Sequence, residues 1–235
     1  MWPTGAGFGV CYTVIGTLSN TAPTAMSRLV SHYFLPQASP QDEAALHWTI
    51  ARVHGVELRC ATGAGVFSKS GLDDGSRLLI ETALPGAAPL EPGARCCDLG
   101  CGWGAVACFA AALSPRARVF GCDINPRAVA LACRNARENG LDNAFFWCGD
   151  GLGAARDEFF EVILCNPPVR AGNAVIARLF DGARRCLKPD GTLWVVLRTA
   201  QGAKSWQKRL AAQFGHCETA AIKGGYRILK CKVQN

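Results

Sequence analysis

The sequence predicts an α/β fold with a mostly parallel sheet. Two observations carry that expectation. From Ala94 onward, short apolar runs of strand length alternate with segments of helical period. The first run also closes in a glycine-rich turn, Asp98-Leu99-Gly100-Cys101-Gly102-Trp103-Gly104. Parallel strands need long crossovers, usually helical, and ligands collect at the carboxyl ends of such strands.

The elements follow in order. Leu46 to Cys60 alternates apolar and polar residues around His54-Gly55, which predicts a β-hairpin ahead of the main sheet. Asp73-Asp74-Gly75-Ser76 precedes Arg77-Leu78-Leu79-Ile80-Glu81, a helix start with Asp or Ser as its cap. The Pro/Gly/Ala stretch Leu84 to Gly93 is a loop. Ala94 to Leu99 is a buried strand and Ala105 to Leu113 its Ala-rich helix. Arg118 to Cys122, ending at Asp123, is a second strand followed by a helix over Pro126 to Glu138. Ala144 to Cys148 and Phe160 to Cys165 are the third and fourth strands. A helix over Val175 to Leu187, a turn at Lys188-Pro189-Asp190-Gly191 and a strand over Thr192 to Leu197 come next. The chain closes with a helix over Trp206 to Phe214 and an alternating strand, Tyr226 to Val233.

Composition bounds the class. At 235 residues, 49% hydrophobic and 18% charged, the chain is long enough for a real core and too apolar to be disordered. No run approaches the roughly 20 apolar residues of a membrane span. Residues 1–25 are apolar without a basic start, so they read as a poorly ordered extension or an upstream start rather than a signal peptide. Residues 26–235 read as one domain, a hairpin segment over 26–72 and a core over 73–235. Thirteen cysteines contain no Cys-x-x-Cys pair, and there are four His, so no metal site is expected. Cys108, Cys122, Cys133, Cys165 and Cys186 fall where a small buried apolar residue is needed, consistent with reduced thiols in a cytoplasm. Of the net charge of +7, +6 lies from residue 201 onward, where Lys204, Lys208, Arg209, Lys223, Arg227, Lys230 and Lys232 face one acid, Glu218. That asymmetry suits a polyanionic partner, although a solvated basic tail shows the same charge.

Two motifs carry chemistry. In the first, glycines at Gly100, Gly102 and Gly104 let a nucleotide-containing ligand approach the backbone, and the following helix start offers free N–H groups. Asp123, 25 residues after Asp98 and followed by Ile124, can accept both ribose hydroxyls of such a ligand. NAD and S-adenosylmethionine both fit that arrangement. Asp98 directly before the glycines suits a cationic amino-acid end better than a pyrophosphate, and Asp150 can accept from an adenine amine. Each acid can instead serve as a helix cap.

The second motif is Asn166-Pro167-Pro168-Val169 at the end of the fourth strand. Two prolines fix φ and remove two donors. They leave acceptors: the Asn166 side-chain oxygen and the Pro167 carbonyl. A planar exocyclic amine offers two N–H donors, and two aligned acceptors draw its nitrogen toward sp³ geometry and aim its lone pair at a methyl group. Together the motifs read as methyl transfer from S-adenosylmethionine to an amine.

The residues resemble a known family. Asp-Leu-Gly-Cys-Gly-Trp-Gly, Asp123-Ile124-Asn125 and Asn166-Pro167-Pro168 are similar to motifs of class I S-adenosylmethionine-dependent methyltransferases. Gly65-Val66-Phe67-Ser68-Lys69, Leu72 to Leu79, Asn166 to Gly172, Leu193-Trp194-Val195-Val196, Gln201 to Ser205 and Ser31-His32-Tyr33-Phe34 resemble the ribosomal RNA guanine-N2 methyltransferases of the RsmC type. The resemblance spans roughly 28–232. It implies a Rossmann-like, seven-stranded, mostly parallel sheet with an antiparallel last strand, and methylation of a guanine N2 in small-subunit rRNA or in the small subunit itself. It also implies that Asp98, Gly100, Gly102, Asp123 and Asp150 hold the cofactor while Asn166 and Pro167 hold the amine. Larger members carry a duplicated amino-terminal domain, for which this chain is too short. Val169 stands where amine methyltransferases often place an aromatic, so base stacking falls to Phe67. Lys69, Arg170, Lys204 and Lys208 are the expected phosphate contacts. A protein glutamine-N5 methyltransferase would use the same Asn-Pro-Pro acceptors, and a non-catalytic RNA- or nucleotide-binding module is a third reading. A dehydrogenase gives Asn-Pro-Pro no task.

Overall fold

A computed structural model describes residues 46–68, 70–86 and 89–234. Ser31 to Phe34, Lys69 and the extension lie outside the described residues. The hairpin forms from β1 (His47–Val53) and β2 (Val56–Thr62). Its turn takes left-handed φ at His54 (50°) and Gly55 (78°), the two-residue geometry that matches strand twist. Helix α1 (Asp74–Ala83) is capped by Asp73, whose carboxylate accepts from the Gly75 and Ser76 amides at 3.0 Å each. Of the two cap residues the sequence allowed, Asp73 performs the capping.

The main sheet contains β3 (Arg95–Leu99), β4 (Arg118–Asp123), β5 (Ala144–Cys148), β6 (Phe160–Cys165), β7 (Leu187–Arg198), β8 (Gly215–Lys223) and β9 (Tyr226–Val233). Their spatial order is β5-β4-β3-β6-β7-β9-β8. β9 inserts between β7 and β8 and runs antiparallel to both. The remaining helices are α2 (Ala105–Leu113), α3 (Pro126–Glu138), α4 (Asn173–Cys186) and α5 (Ala203–Phe214). One face of the sheet packs α1, α2 and α3 through Cys96, Val119, Leu164, Val196 and Ile228. The other packs α4 and α5 through Cys97, Cys122, Ile163, Val195 and Leu229. Adjacent residues such as Cys96 and Cys97 therefore serve opposite cores, the two-residue period of a strand buried on both faces.

Several boundaries moved. β8, at the sheet edge, was not foreseen; mostly exposed and interrupted by a register shift between Thr219 and Ala221, it carries little apolar alternation. Helices α4 and α5 begin before the expected Val175 and Trp206, each following a glycine with positive φ. Residues 188–191 lie within β7, but pairing with β6 jumps from Phe160↔Leu187 to Val162↔Thr192. The foreseen turn is therefore a bulge inside a long strand, with Asp190 left-handed at φ 63°. Cys108, Cys122, Cys165 and Cys186 are fully buried and Cys133 is half-buried. Cys217 and Cys231 sit directly opposite each other on β8 and β9, with Cα atoms 4.0 Å apart.

Asn135 of α3 and Asn139, the residue that caps its carboxyl end one turn later, complete the free edge of β2. The fully buried Asn135 accepts from the Ala61 amide at 2.7 Å and donates to the carbonyls of Ala61 (3.0 Å) and Trp103 (2.8 Å). Asn139 repeats the pattern with the amide and carbonyl of Arg59, both at 2.9 Å. One helix face thus substitutes for a missing strand neighbour, since buried backbone groups must be paired. Replacing Asn135 by Ala orphans one buried donor and two acceptors. The expected loss is about 2–4 kcal/mol in urea unfolding; an unchanged midpoint would refute this role.

Candidate active site

The carboxyl ends of β3, β4, β6 and β7 open into a cavity of about 770 Å³. Asp98, Gly100, Gly102, Asp123, Ile124, Asp150, Asn166, Pro167, Pro168, Val169, Arg170 and Phe67 all border it. Gly100 and Gly102 take φ of 78° and 54°, and no atom lies within 4 Å of where a Cβ would stand. Their backbone faces open cavity, so a ligand can come into contact with it. Gly104 is different: it does not line the cavity, and a Cβ there would meet the Ala132 Cβ at 2.8 Å. Its place is in the close packing of α2 against α3. Lys204 lies outside this cavity, along a second groove.

The acids are held firmly. Asp123 accepts from the Gly102 amide and from the Asn125 amide, both at 2.8 Å, which locks the glycine turn to the end of β4. Each carboxylate oxygen keeps lone-pair capacity for a further donor. Asn125 in turn caps α3 and donates to the Gly65 carbonyl at 2.9 Å, which sets the Val66-Phe67 loop at the cavity rim. Phe67 is 67% exposed there. Asp150 is engaged by a bidentate pair with Arg178 of α4, at 2.8 and 3.0 Å. Asp98 is buried beneath the turn and accepts from the Ala107 amide at 3.0 Å. Burial pushes its carboxyl up from 3.8 to about 7, against the lowering effect of the Ala107 hydrogen bond and with a smaller upward push from Asp123.

At the end of β6 the Asn166 side chain donates from Nδ2 to the Ser76 hydroxyl at 3.0 Å. That bond leaves Oδ1, which accepts no hydrogen bond among the described residues, as the acceptor of an amide that borders the cavity. The Pro167 carbonyl accepts from the Val169 amide at 2.9 Å, so one of its two lone pairs is committed to the turn. Sequence reasoning gave Ser76 only a capping role, and it missed Arg178, Arg198 and Tyr226. Arg198 donates to the Tyr226 hydroxyl at 2.6 Å and stacks on its ring at 4.4 Å, and both residues line the cavity. Gly75 makes room for that ring: a Cβ there would lie 2.8 Å from it. The usable signal was the Leu72-to-Leu79 string, whose likeness to a family exceeded what a cap alone requires.

The cavity fits S-adenosylmethionine. Two carboxylates flank an open glycine turn, matching a ligand with a cationic amino-acid end and a ribose. Among the described residues no group of His, Cys, Asp or Glu could hold a metal ion, and no helix is long and apolar enough to cross a membrane. The pH dependence of Asp98 follows from its raised value. Between 3.8 and about 7 the folded protein holds a proton that the unfolded chain releases, so its contribution is full below 3.8 and disappears as pH rises through 7. Asp98→Asn should therefore gain stability over wild type at pH 8 relative to pH 5, by on the order of 3 kcal/mol in urea melts. An equal difference at both pH values would show that Asp98 is ionised throughout.

Comparison with known proteins agrees with this geometry. The model of the methyltransferase small domain family matches residues 57–230. The chain is 33% identical over 202 residues to an uncharacterized protein, YbxB, of Bacillus subtilis, covering 86% of this chain and 98% of that one. The 16S rRNA N2 G1207 methyltransferase RsmC of T. thermophilus, solved with AdoMet and guanosine, aligns with a TM-score of 0.73 at 26% identity. That alignment covers 81% of this chain and 51% of RsmC, so the chain spans about half of that protein's length. M. jannaschii TYW2 in complex with AdoMet shares the fold, with a TM-score of 0.58 at 14% identity over 80% of this chain and 86% of that one. With its glycine turn, acid pair and Asn-Pro-Pro turn gathered at one end of such a sheet, the chain belongs to the methyltransferase small domain family of class I S-adenosylmethionine-dependent methyltransferases.

Proposed function

We propose that this methyltransferase modifies the exocyclic N2 amine of a guanine in ribosomal RNA, that of the small subunit. The observation that carries the reading is the orientation of the Asn166 amide, whose Nδ2 is occupied by Ser76. An amide held this way presents an acceptor, and an acceptor is what an amine donor needs. The likeness to RsmC supports a guanine as the bearer of that amine. A ribosomal RNA substrate fits the cytoplasmic location expected from the sequence.

Bound in the cavity, S-adenosylmethionine supplies an electrophilic methyl group on a sulfonium centre. Asp123 holds the ribose hydroxyls, Asp98 faces the amino-acid end, and Asp150 with Arg178 borders the base end. Asn166 Oδ1 and the free lone pair of the Pro167 carbonyl accept the two amine hydrogens. They thereby localise the lone pair on nitrogen and hold it in line with the methyl group. No strong base is required, since a methylated aryl ammonium loses its proton to water. Phe67, exposed at the rim, stacks the guanine in place of the absent aromatic at Val169, and Arg170 meets the backbone phosphate. The guanine must be unpaired or flipped to reach this depth.

The test supplies tritiated S-adenosylmethionine with small subunits, naked rRNA or bulk protein, followed by nucleoside analysis. Label in N2-methylguanosine supports the reading; label in glutamine of a protein would replace it with the amide reading. Asn166→Ala should lower kcat by about 10²–10³ with cofactor affinity nearly intact. Ser76→Ala should lower kcat by roughly tenfold at unchanged cofactor affinity, because a free amide rotates between donor and acceptor faces. Wild-type turnover in either variant would sink the proposed clamp.

A further inference from the structure

A second groove, of about 420 Å³, runs between α5 and the β8–β9 edge, lined by Lys204, Gln207, Lys208, Ala211, Cys217 and Arg227. We infer that this groove is a phosphate track for the RNA strand flanking the target nucleotide, an inference that rests on the RNA reading above.

Three observations carry it. First, the groove's cations have no carboxylate partner among the described residues, whereas Lys232 pairs with Asp190 at 3.0 Å, Lys223 with Glu81 at 3.8 Å and Arg178 with Asp150 at 2.8 Å. Second, among the described residues Arg227 is fixed by neutral groups. Its Nη1 donates to the Thr219 hydroxyl at 2.8 Å, which donates to Gln207 Oε1 at 3.0 Å, while Gln207 Nε2 donates to the Cys217 carbonyl at 3.3 Å. The buried Arg227 Nε has no hydrogen-bond partner among the described residues. A guanidinium held in place without a counter-ion is costly to fold and suited to a bound anion.

Third, the groove starts at the same end of the sheet as the active site. Arg227, the second residue of antiparallel β9, pairs with Leu197, which lines the cavity at that sheet end. Gln201 also lines the cavity, and Lys204 and Lys208 follow it on successive turns of α5. Because α5 buries Ala203, Trp206, Leu210 and Phe214, its exposed Lys204 and Lys208 remain along the rim. A spaced row of unpaired cations leading away from a base pocket matches a polyanionic strand rather than a single anion.

The test measures equilibrium binding of small-subunit rRNA, naked and in the assembled subunit, across a salt series. Lys204→Glu/Lys208→Glu should lose roughly tenfold or more in RNA affinity, and its log–log salt slope should fall by about 1.4, two phosphates at about 0.7 each. Cofactor affinity within twofold of wild type shows that the variant is folded, and Lys208→Arg should retain RNA binding. RNA affinity and slope equal to wild type would overturn the track. So would an equal loss for a polyglutamate peptide that the wild type binds as tightly as RNA. Product identity is read separately: label on another nucleobase atom with the variant still weakened removes the guanine-N2 reading and leaves the track standing.

Discussion

The buried amide of Asn135 joins three parts of one core, the hairpin, the glycine turn and α3. It pairs the edge of β2 at Ala61, holds the glycine turn through the Trp103 carbonyl, and belongs to α3. A β-hairpin alone is marginal in water, and its outer edge invites pairing with another chain. Two asparagines at helical spacing satisfy that edge with side-chain amides and anchor the hairpin to the helices. The loop leaving the hairpin then carries Val66 and Phe67 to the cavity rim. This part of the cavity rim depends on that joint as much as on the sheet.

The cofactor side depends on a different economy of contacts. Asp123 ties the glycine turn to the next strand through backbone amides, so the same carboxylate that could meet a ribose also shapes the turn beneath it. Asp98 lies below, buried enough to titrate near neutrality. A buried acid facing a cationic ligand trades its proton for that charge, which favours the ligand only where the site excludes water. Opposite them, the Asn166–Ser76 bond joins the end of β6 to the first turn of α1 and decides which face of the amide is left to accept a hydrogen bond.

Legibility in the sequence tracked locality. The hairpin, the strand–glycine–helix unit and the Asn-Pro-Pro turn were legible because φ-permissive glycines, φ-fixing prolines and alternating burial act within a few residues. β8 was not: an edge strand with one half-solvated face has little hydrophobic period to detect. The bulge at 188–191 read as a turn because Pro-Asp-Gly is turn chemistry wherever it occurs. Gly104 read as part of the ligand loop, whereas its lack of a side chain serves the contact with Ala132, a residue 28 positions away.

The sequence by itself determined the fold class, the end of the sheet where ligands gather, and the acids and the Asn-Pro-Pro turn placed there, since each follows from backbone rules read along the chain. Only the tertiary structure decided that Ser76 turns the Asn166 amide, that Arg178 meets Asp150, that Arg198 and Tyr226 close the rim, and that Arg227 joins Lys204 and Lys208 in one groove. Those pairings link residues far apart in the chain through packing, and a hydrogen bond formed only when two elements dock leaves no period or motif in either of them.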